Sequence, residues 1–284
     1  MNISTKDYCL LLIMVLIWGC NYVVGKIGLT ELPPLLFMGL RFLLAAIIIY
    51  PFLKHTGVNH KSIFIYSVIV GLIHFGAIFS GLSVGEASVV ILVSQLSVPL
   101  TVILSFTFFS EKTNLATLIG IVLSIIGTAL FTLALENNLN LLTVIYSLIG
   151  AISWSIGTIW MKNKLNNHSV ITINFWLALY STPMFFVLSS VIEGSVMQNL
   201  TGLSIRSFGA LLYQSILVII VGYGIWNFAI SKYQTSKVVP ITLLVPLIGL
   251  ISSYIFLNES LKLIQIIGVL ITLSGTYFIM FKKT

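Results

Sequence analysis

Charge is what this sequence has least of. Only 7% of its 284 residues are Asp, Glu, Lys or Arg, against about a quarter in a soluble domain. So few charged groups cannot hold a compact object of this size in water. The same scarcity excludes a disordered tail, a sizeable domain outside lipid and a nucleic-acid surface. Cysteine is nearly absent too. Cys9 and Cys20 fall in one apolar run, where a helix separates them by about 16 Å, so no disulfide framework exists. No Cys/His spacing suits a metal, and no cofactor is expected. GCNYVVGKI at 19–27 misses the phosphate-loop pattern at its first glycine and at its Ser/Thr position. A Gly-x-Ser-x-Gly elbow is lacking as well. An enzyme is not expected, and an intramembrane hydrolase is only a remote alternative.

Apolar residues are abundant, at 58%. A membrane span needs about 20 of them in a row. Ten such segments follow from cutting at charges and turn residues: 8–27, 33–53, 62–83, 88–109, 115–135, 141–161, 170–192, 207–230, 238–257 and 264–281. They are continuously apolar rather than alternating, which predicts helices and not barrel strands. The first is too long for a signal peptide and has no small-residue cleavage site, so it reads as a retained span. The expected fold is an all-α membrane protein of ten transmembrane helices.

Net charge is +7, and its placement predicts orientation. With the N-terminus inside, the cytoplasmic side holds Lys6, Lys54, Lys61, Lys112, Lys162, Lys164, Lys232, Lys237, Lys282 and Lys283. The other side holds Lys26, Arg206 and Lys262. That bias predicts cytoplasmic termini.

Two stretches recur. LIWGCNYVVGK (16–26) matches AISWSIGTIWMK (151–162), pairing Trp18 with Trp154 and Lys26 with Lys162. SVPLTVILSFTFFSE (97–111) matches LVPLIGLISSYIFLNE (244–259), and Glu111 to Gly120 and Gly127 repeats as Glu259 to Gly268 and Gly275. The chain therefore reads as two five-helix units, 1–137 and 138–284. Five is odd, so the second unit enters the membrane from the opposite side. Inverted repeats of this kind belong to alternating-access transporters, with the solute site between the halves.

These residues also carry a resemblance. The Trp-Gly pair early in span one and the Pro-then-Glu ends of spans four and nine resemble EamA-type drug/metabolite transporters. WGCNYVVGKIGL (18–29), LPPLLFMGLRFLLAA (32–46) and VGYGIWNFAISKYQTSKVVPITLLVPLIGL (221–250) are similar to the family's O-acetylserine/cysteine exporters. His74, Ser97 and Pro99 depart from that pattern. The resemblance implies export of a small amino-acid-like metabolite across a bacterial inner membrane, by a monomer or homodimer. A drug, nucleoside or nucleotide-sugar is the alternative cargo in the same fold.

Few residues can carry the chemistry. Arg41 is the single full charge deep in a span, at a cost of about 2.5–3.5 kcal/mol. It reads either as an anchor for a substrate carboxylate or as a structural Arg that satisfies helix carbonyls. His74, central in span three, reads as a proton relay or substrate contact, or as a hydrogen-bonded bundle histidine. Trp18 and Asn21 on span one, Gln95 with Ser94 and Ser97 on span four, and Trp154 on span six are further candidates. So are Trp176 with Tyr180 on span seven and Tyr223 with Asn227 on span eight. Each is either pocket lining or interhelical glue. Pro99 and Pro246 read as hinges or plain kinks. The glycine pairs predict close packing of spans five and ten, on each other or in a dimer. All seven acids, Asp7, Glu31, Glu86, Glu111, Glu136, Glu193 and Glu259, lie at span ends or in loops. No buried carboxylate is available to exchange proton for substrate. Downhill or exchange transport is expected, or coupling through His74 or a sodium site without carboxylates.

Overall fold

The structure, a computed structural model, describes residues 3–53, 57–109, 114–135, 140–194, 203–233 and 238–280. Glu111, Glu136, the boundary after residue 137, and Lys54, Lys112, Lys237, Lys282 and Lys283 lie outside them, as does the side chain of Asn227. Every described element is helical. In chain order α1 is Thr5–Gly28 and α2 is Pro34–Ile49, closed by a 3₁₀ turn over Tyr50–Phe52. α3 runs from His60 to Val84 and α4 from Ala87 to Phe109, with α5 over Leu115–Leu133. α6 is Leu141–Lys164, α7 Val170–Ile192 and α8 Ile205 to Lys232. α9 starts as a 3₁₀ turn at Val239–Leu243 and continues as Leu244–Leu257, and α10 is Leu263–Met280. Nine of these helices, among the described residues, are long and apolar enough to cross a membrane; the tenth, Ile241–Leu257, is apolar but shorter.

Local sequence sets the helix starts. Ser4, Asn59, Asn114, Asn140, Ser169 and Ser204 each cap a helix by accepting from a backbone N–H of its first turn. α2 and α4 lack such a cap, beginning after Pro33 and Glu86 without a side-chain bond. Carboxylates from other spans supply it. Glu193, just past α7, accepts from Leu35 N at 2.8 Å and Leu36 N at 3.0 Å. Glu259, just past α9, accepts from Ala87 N at 2.7 Å and Ser88 N at 2.9 Å. These acids at span ends therefore dock one half of the chain onto the other, placing negative charge where helix N-termini favour it.

The packing obeys the inverted repeat. α5 pairs with α10 and α2 with α7, each span against its own counterpart. α1 packs on α9 as α6 packs on α4, and α1 on α8 as α6 packs on α3. The α5–α10 seam depends on glycine. A Cβ at Gly120 would lie 2.6 Å from the Gly275 carbonyl, and one at Gly127 would lie 2.5 Å from Thr272 N. Small residues let the two backbones touch, which supplies the dispersion contact that lipid cannot. The paired glycines are thus used within one chain rather than between copies. Outward faces of α5 and α10 stay apolar and exposed, as at Leu118, Val122, Ile126, Ile267 and Leu270, which suits a surface bathed in lipid.

Candidate functional site

Four spans change helix type at equivalent places. α3 is α-helical over His60–Tyr66, π-helical over Ser67–His74 and α-helical again over Phe75–Val84. α8 repeats this with Ile205–Leu212, a π segment at Tyr213–Gly222, and Tyr223–Lys232. α4 breaks at Gln95 and Leu96, between Ala87–Ser94 and Ser97–Phe109. α9 passes from 3₁₀ to α at Leu243 and Leu244. Pro99 and Pro246 are each the third residue of the segment that follows the break. The N–H groups of a first turn have no partner within their own segment, so proline breaks no bond of that segment there. π segments cluster at functional sites because they free backbone groups and re-aim side chains.

The two tryptophans mark the same depth. Trp18 is the 14th residue of α1 and Trp154 the 14th of α6, both helices 24 residues long. Each lies on the end of a π segment from the other half. The Trp154 ring sits 4.9 Å from the His74 ring, and His74 Nδ1 bonds the Gly150 carbonyl at 2.8 Å. A carbonyl only accepts, so Nδ1 carries the proton and Nε2 keeps its lone pair in the neutral ring. Trp18 packs on Tyr223 at 5.1 Å and Trp226 at 5.8 Å, donating its indole N–H to Val218 O at 3.4 Å. Its Nε1 occupies the place where a Cβ on Gly222 would be.

Polar groups tie the π segment of α8 to α1. Tyr213 donates to Ile17 O and Gln214 Nε2 to Asn21 O, both at 2.8 Å. Gln214 is wholly buried, and its Oε1 and Asn21 Oδ1 have no hydrogen-bond partner. Neither Tyr213 nor Gln214 stood out in the sequence, although an amide inside the apolar run 207–230 was a usable signal. Gln95 is half-buried at the α4 break. Ser155 reaches the Ser97 carbonyl just past that break at 2.9 Å, joining α6 to α4.

Arg41 is 1% exposed, and no described carboxylate pairs with it. Instead its guanidinium carbon lies 4.7 Å from the Phe75 ring centre, 5.5 Å from Phe79 and 5.6 Å from Phe42. Its Nη1 points at Met38 Sδ, while Nε has no partner. At about 0.5–2 kcal/mol per ring, three rings contribute about 1.5–6 kcal/mol, the same order as the cost of burying the charge. The geometry is a sealed aromatic cage behind His74 rather than an open wall.

Trp176 and Tyr180 form a different group. They stack at 5.6 Å, with His60 4.7 Å from Trp176 and its Nδ1 2.8 Å from the Tyr180 hydroxyl. His60 is the first residue of α3, so this cluster lies toward the termini. The structure brings Trp18 and Tyr223 together, ties Asn21 to Gln214 through its carbonyl and sets His74 against Trp154, but places Trp176 and Tyr180 at a rim.

Ion pairs hold α1 at both ends. On the side of the termini, Asp7 accepts from Lys232 at 2.8 Å and from the Tyr233 hydroxyl. On the opposite side, Lys26 pairs with Glu259 at 3.3 Å and donates to Gly85 O. Packing between these ends is unequal. In the first segment of α4 every residue from Ala87 to Val93 is buried, and in the second segment of α9 five are. The α4 segment Ser97–Phe109, equivalent to the latter, buries only Pro99 among the described side chains. In this pair of spans the described residues pack more closely on the side opposite the termini than beside them.

Residues 5–133 and 141–281 each match the EamA-like transporter family, so the chain belongs to that family and is a multi-pass membrane transporter. It is 33% identical to the "Probable amino-acid metabolite efflux pump" of Escherichia coli K12, over 98% of this chain and 96% of that protein. The protein of that name from Salmonella typhimurium is 34% identical, with the same coverage. A solved crystal structure superposes with a TM-score of 0.68 at 12% identity, covering 97% of this chain and 96% of the other; that likeness concerns the fold.

Proposed function

We propose that this chain exports small amino-acid-like metabolites, O-acetylserine and cysteine first among them, by alternating access. It does so from a bacterial cytoplasmic membrane with both termini in the cytoplasm. One observation carries the reading: spans 1, 3, 4 and their inverted counterparts 6, 8, 9 place two tryptophans, two π segments and two helix breaks at equivalent points. Discontinuous helices at a repeat interface are how such transporters build a solute site. Trp18, Asn21, His74, Gln95 and Trp154 are the lining we assign. Their chemistry suits a zwitterion. Amide and imidazole groups exchange hydrogen bonds with its polar end, and indole faces attract its ammonium. Arg41 acts from behind this wall, fixing α2 and α3 rather than gripping solute. Trp176 and Tyr180 serve the rim.

The full-length similarity to proteins named as amino-acid metabolite efflux pumps supports the solute class. With no acid in the described spans beyond Asp7 in the first turn of α1, the drive is the solute gradient or exchange, or coupling through His74 or a sodium site without carboxylates. Counterflow in proteoliposomes tests the reading. O-acetylserine and cysteine should each displace labelled O-acetylserine, and aromatic amino acids should do so less well. No displacement by the first two overturns the assignment of solute.

A further inference from the structure

Three unspent polar groups meet in a cavity of about 270 Å³ on the side opposite the termini. The first is Glu86. It occupies the N-cap position of α4 yet makes no capping bond, because Glu259 has taken the N–H groups of Ala87 and Ser88. The one side-chain hydrogen bond it makes among the described residues is from Ser88 Oγ, at 3.4 Å. The second is Lys26. An ammonium has three N–H donors, and Lys26 directs two, to Gly85 O and Glu259 Oε1. The third is Thr143, 1% exposed, whose Oγ1 has no partner. All three line the same cavity, with Asn140 at its edge. Burial, and Glu259 beside it, hold the Glu86 carboxyl above the usual carboxylate range, while Lys26 opposes this. Glu86 and Glu259 both act on Lys26, and Lys262 lies with the two carboxylates around the adjoining cavity.

We infer that this cavity is a second, outer site for a small zwitterion, whose ammonium meets Glu86 and whose carboxylate meets Lys26, with the Thr143 hydroxyl as a further partner. The inference rests on the reading of the chain as an amino-acid transporter and adds an exit-side station to it. Occupancy has a consequence for the latch. A solute carboxylate on Lys26 competes with Glu259, so binding loosens the ion pair that ties α1 to the end of α9. A zwitterionic lipid headgroup, phosphoethanolamine, carries the same chemistry. The experiment therefore separates the two sources.

Ser83 lines the cavity and is exposed. In full-length protein carrying Cys9→Ala and Cys20→Ala, Ser83→Cys would be labelled by a membrane-impermeant maleimide added to the side opposite the termini. Vesicles of phosphatidylcholine, with and without phosphatidylethanolamine, are compared, each with and without O-acetylserine. The inference predicts labelling slowed about fivefold or more by one zwitterion, and the slowing lost with Glu86→Gln and weakened with Thr143→Val. Slowing by added O-acetylserine in either vesicle assigns a solute, and slowing by phosphatidylethanolamine alone assigns a headgroup. Equal labelling in every condition, or slowing that survives Glu86→Gln, overturns the site. Because labelling reads binding, its failure is distinct from failed counterflow, which would defeat the transport reading instead.

Discussion

The π segments of α3 and α8 are equivalent in backbone and opposite in side chain. The first ends on His74, whose ring lies against Trp154 and whose Nδ1 holds the Gly150 carbonyl. The second ends on Gly222, against which Trp18 packs with no room for a Cβ. One half presents a polar ring that can exchange hydrogen bonds; the other presents a close aromatic lid. An inverted repeat shares its mechanics between halves, but a solute has two unlike ends. The same backbone device thus carries a polar ring in one half and a close aromatic contact in the other.

Substitutions can break that comparison, the largest effect coming from the steric half. Gly222→Leu forces a side chain into Trp18 Nε1, and overpacking of this kind costs about 1–3 kcal/mol. Counterflow should fall at least about tenfold in protein that still elutes as a single species. Activity close to wild type would show that the Trp18 lid is not part of the cycle. Next come the tryptophans themselves. Trp154→Ala should raise the half-saturation for O-acetylserine about tenfold, and Trp154→Phe much less, since a ring face remains. Trp18→Ala should lower turnover more than affinity. Identical profiles for the two would remove the distinction drawn between the halves.

His74→Gln has a smaller expected effect. A glutamine amide can still donate to the Gly150 carbonyl, so flux should fall only about threefold. Any drive from an imposed proton gradient that passes through His74 should disappear, because a glutamine amide, unlike an imidazole, cannot take up and release a proton. Proton drive persisting in this variant would contradict the relay. Smallest are Pro99→Ala and Pro246→Ala. Both sit in a first helical turn, where the missing N–H has no partner to lose. Thermal stability should shift by no more than about 0.5 kcal/mol. A change in turnover without one in stability would make them hinges, and one confined to Pro99 would assign the motion to the loosely packed side.

Much of this arrangement was legible in the residues, and what was missed has physical reasons. The spans, the Trp18–Trp154 pair and the glycine seam follow from apolar length and from spacing along one helix face, which are local properties. The π segments left no such mark. The wider turns of α3 and α8 are anchored by bonds between spans: Tyr213, Gln214 and His74 donate to the carbonyls of Ile17, Asn21 and Gly150, and Trp18 donates to Val218 O within the α8 segment. The trans caps by Glu193 and Glu259 were invisible for the same reason, although uncapped starts at Pro33 and Glu86 hinted that a partner was needed. Arg41 was legible as buried but not as caged. Phe75 and Phe79 are one turn apart on a different span, and only the fold brings them over the guanidinium. Trp176 reads in the sequence as lying at a depth similar to the other aromatics, yet it is the seventh residue of α7 where Trp18 is the fourteenth of α1. Counting depth from the helix start would have separated them.

Ser105 and Ser252 occupy equivalent positions in α4 and α9, the first half-buried and the second 4% exposed. Their accessibility tests alternating access most directly. In the cysteine-free background, Ser105→Cys should be labelled by an impermeant maleimide from the side of the termini. Ser252→Cys should resist the same reagent from the opposite side. O-acetylserine in excess, cycling the protein, should slow the first and speed the second. Equal rates at both positions, unchanged by solute, would contradict a bundle that opens alternately on its two sides.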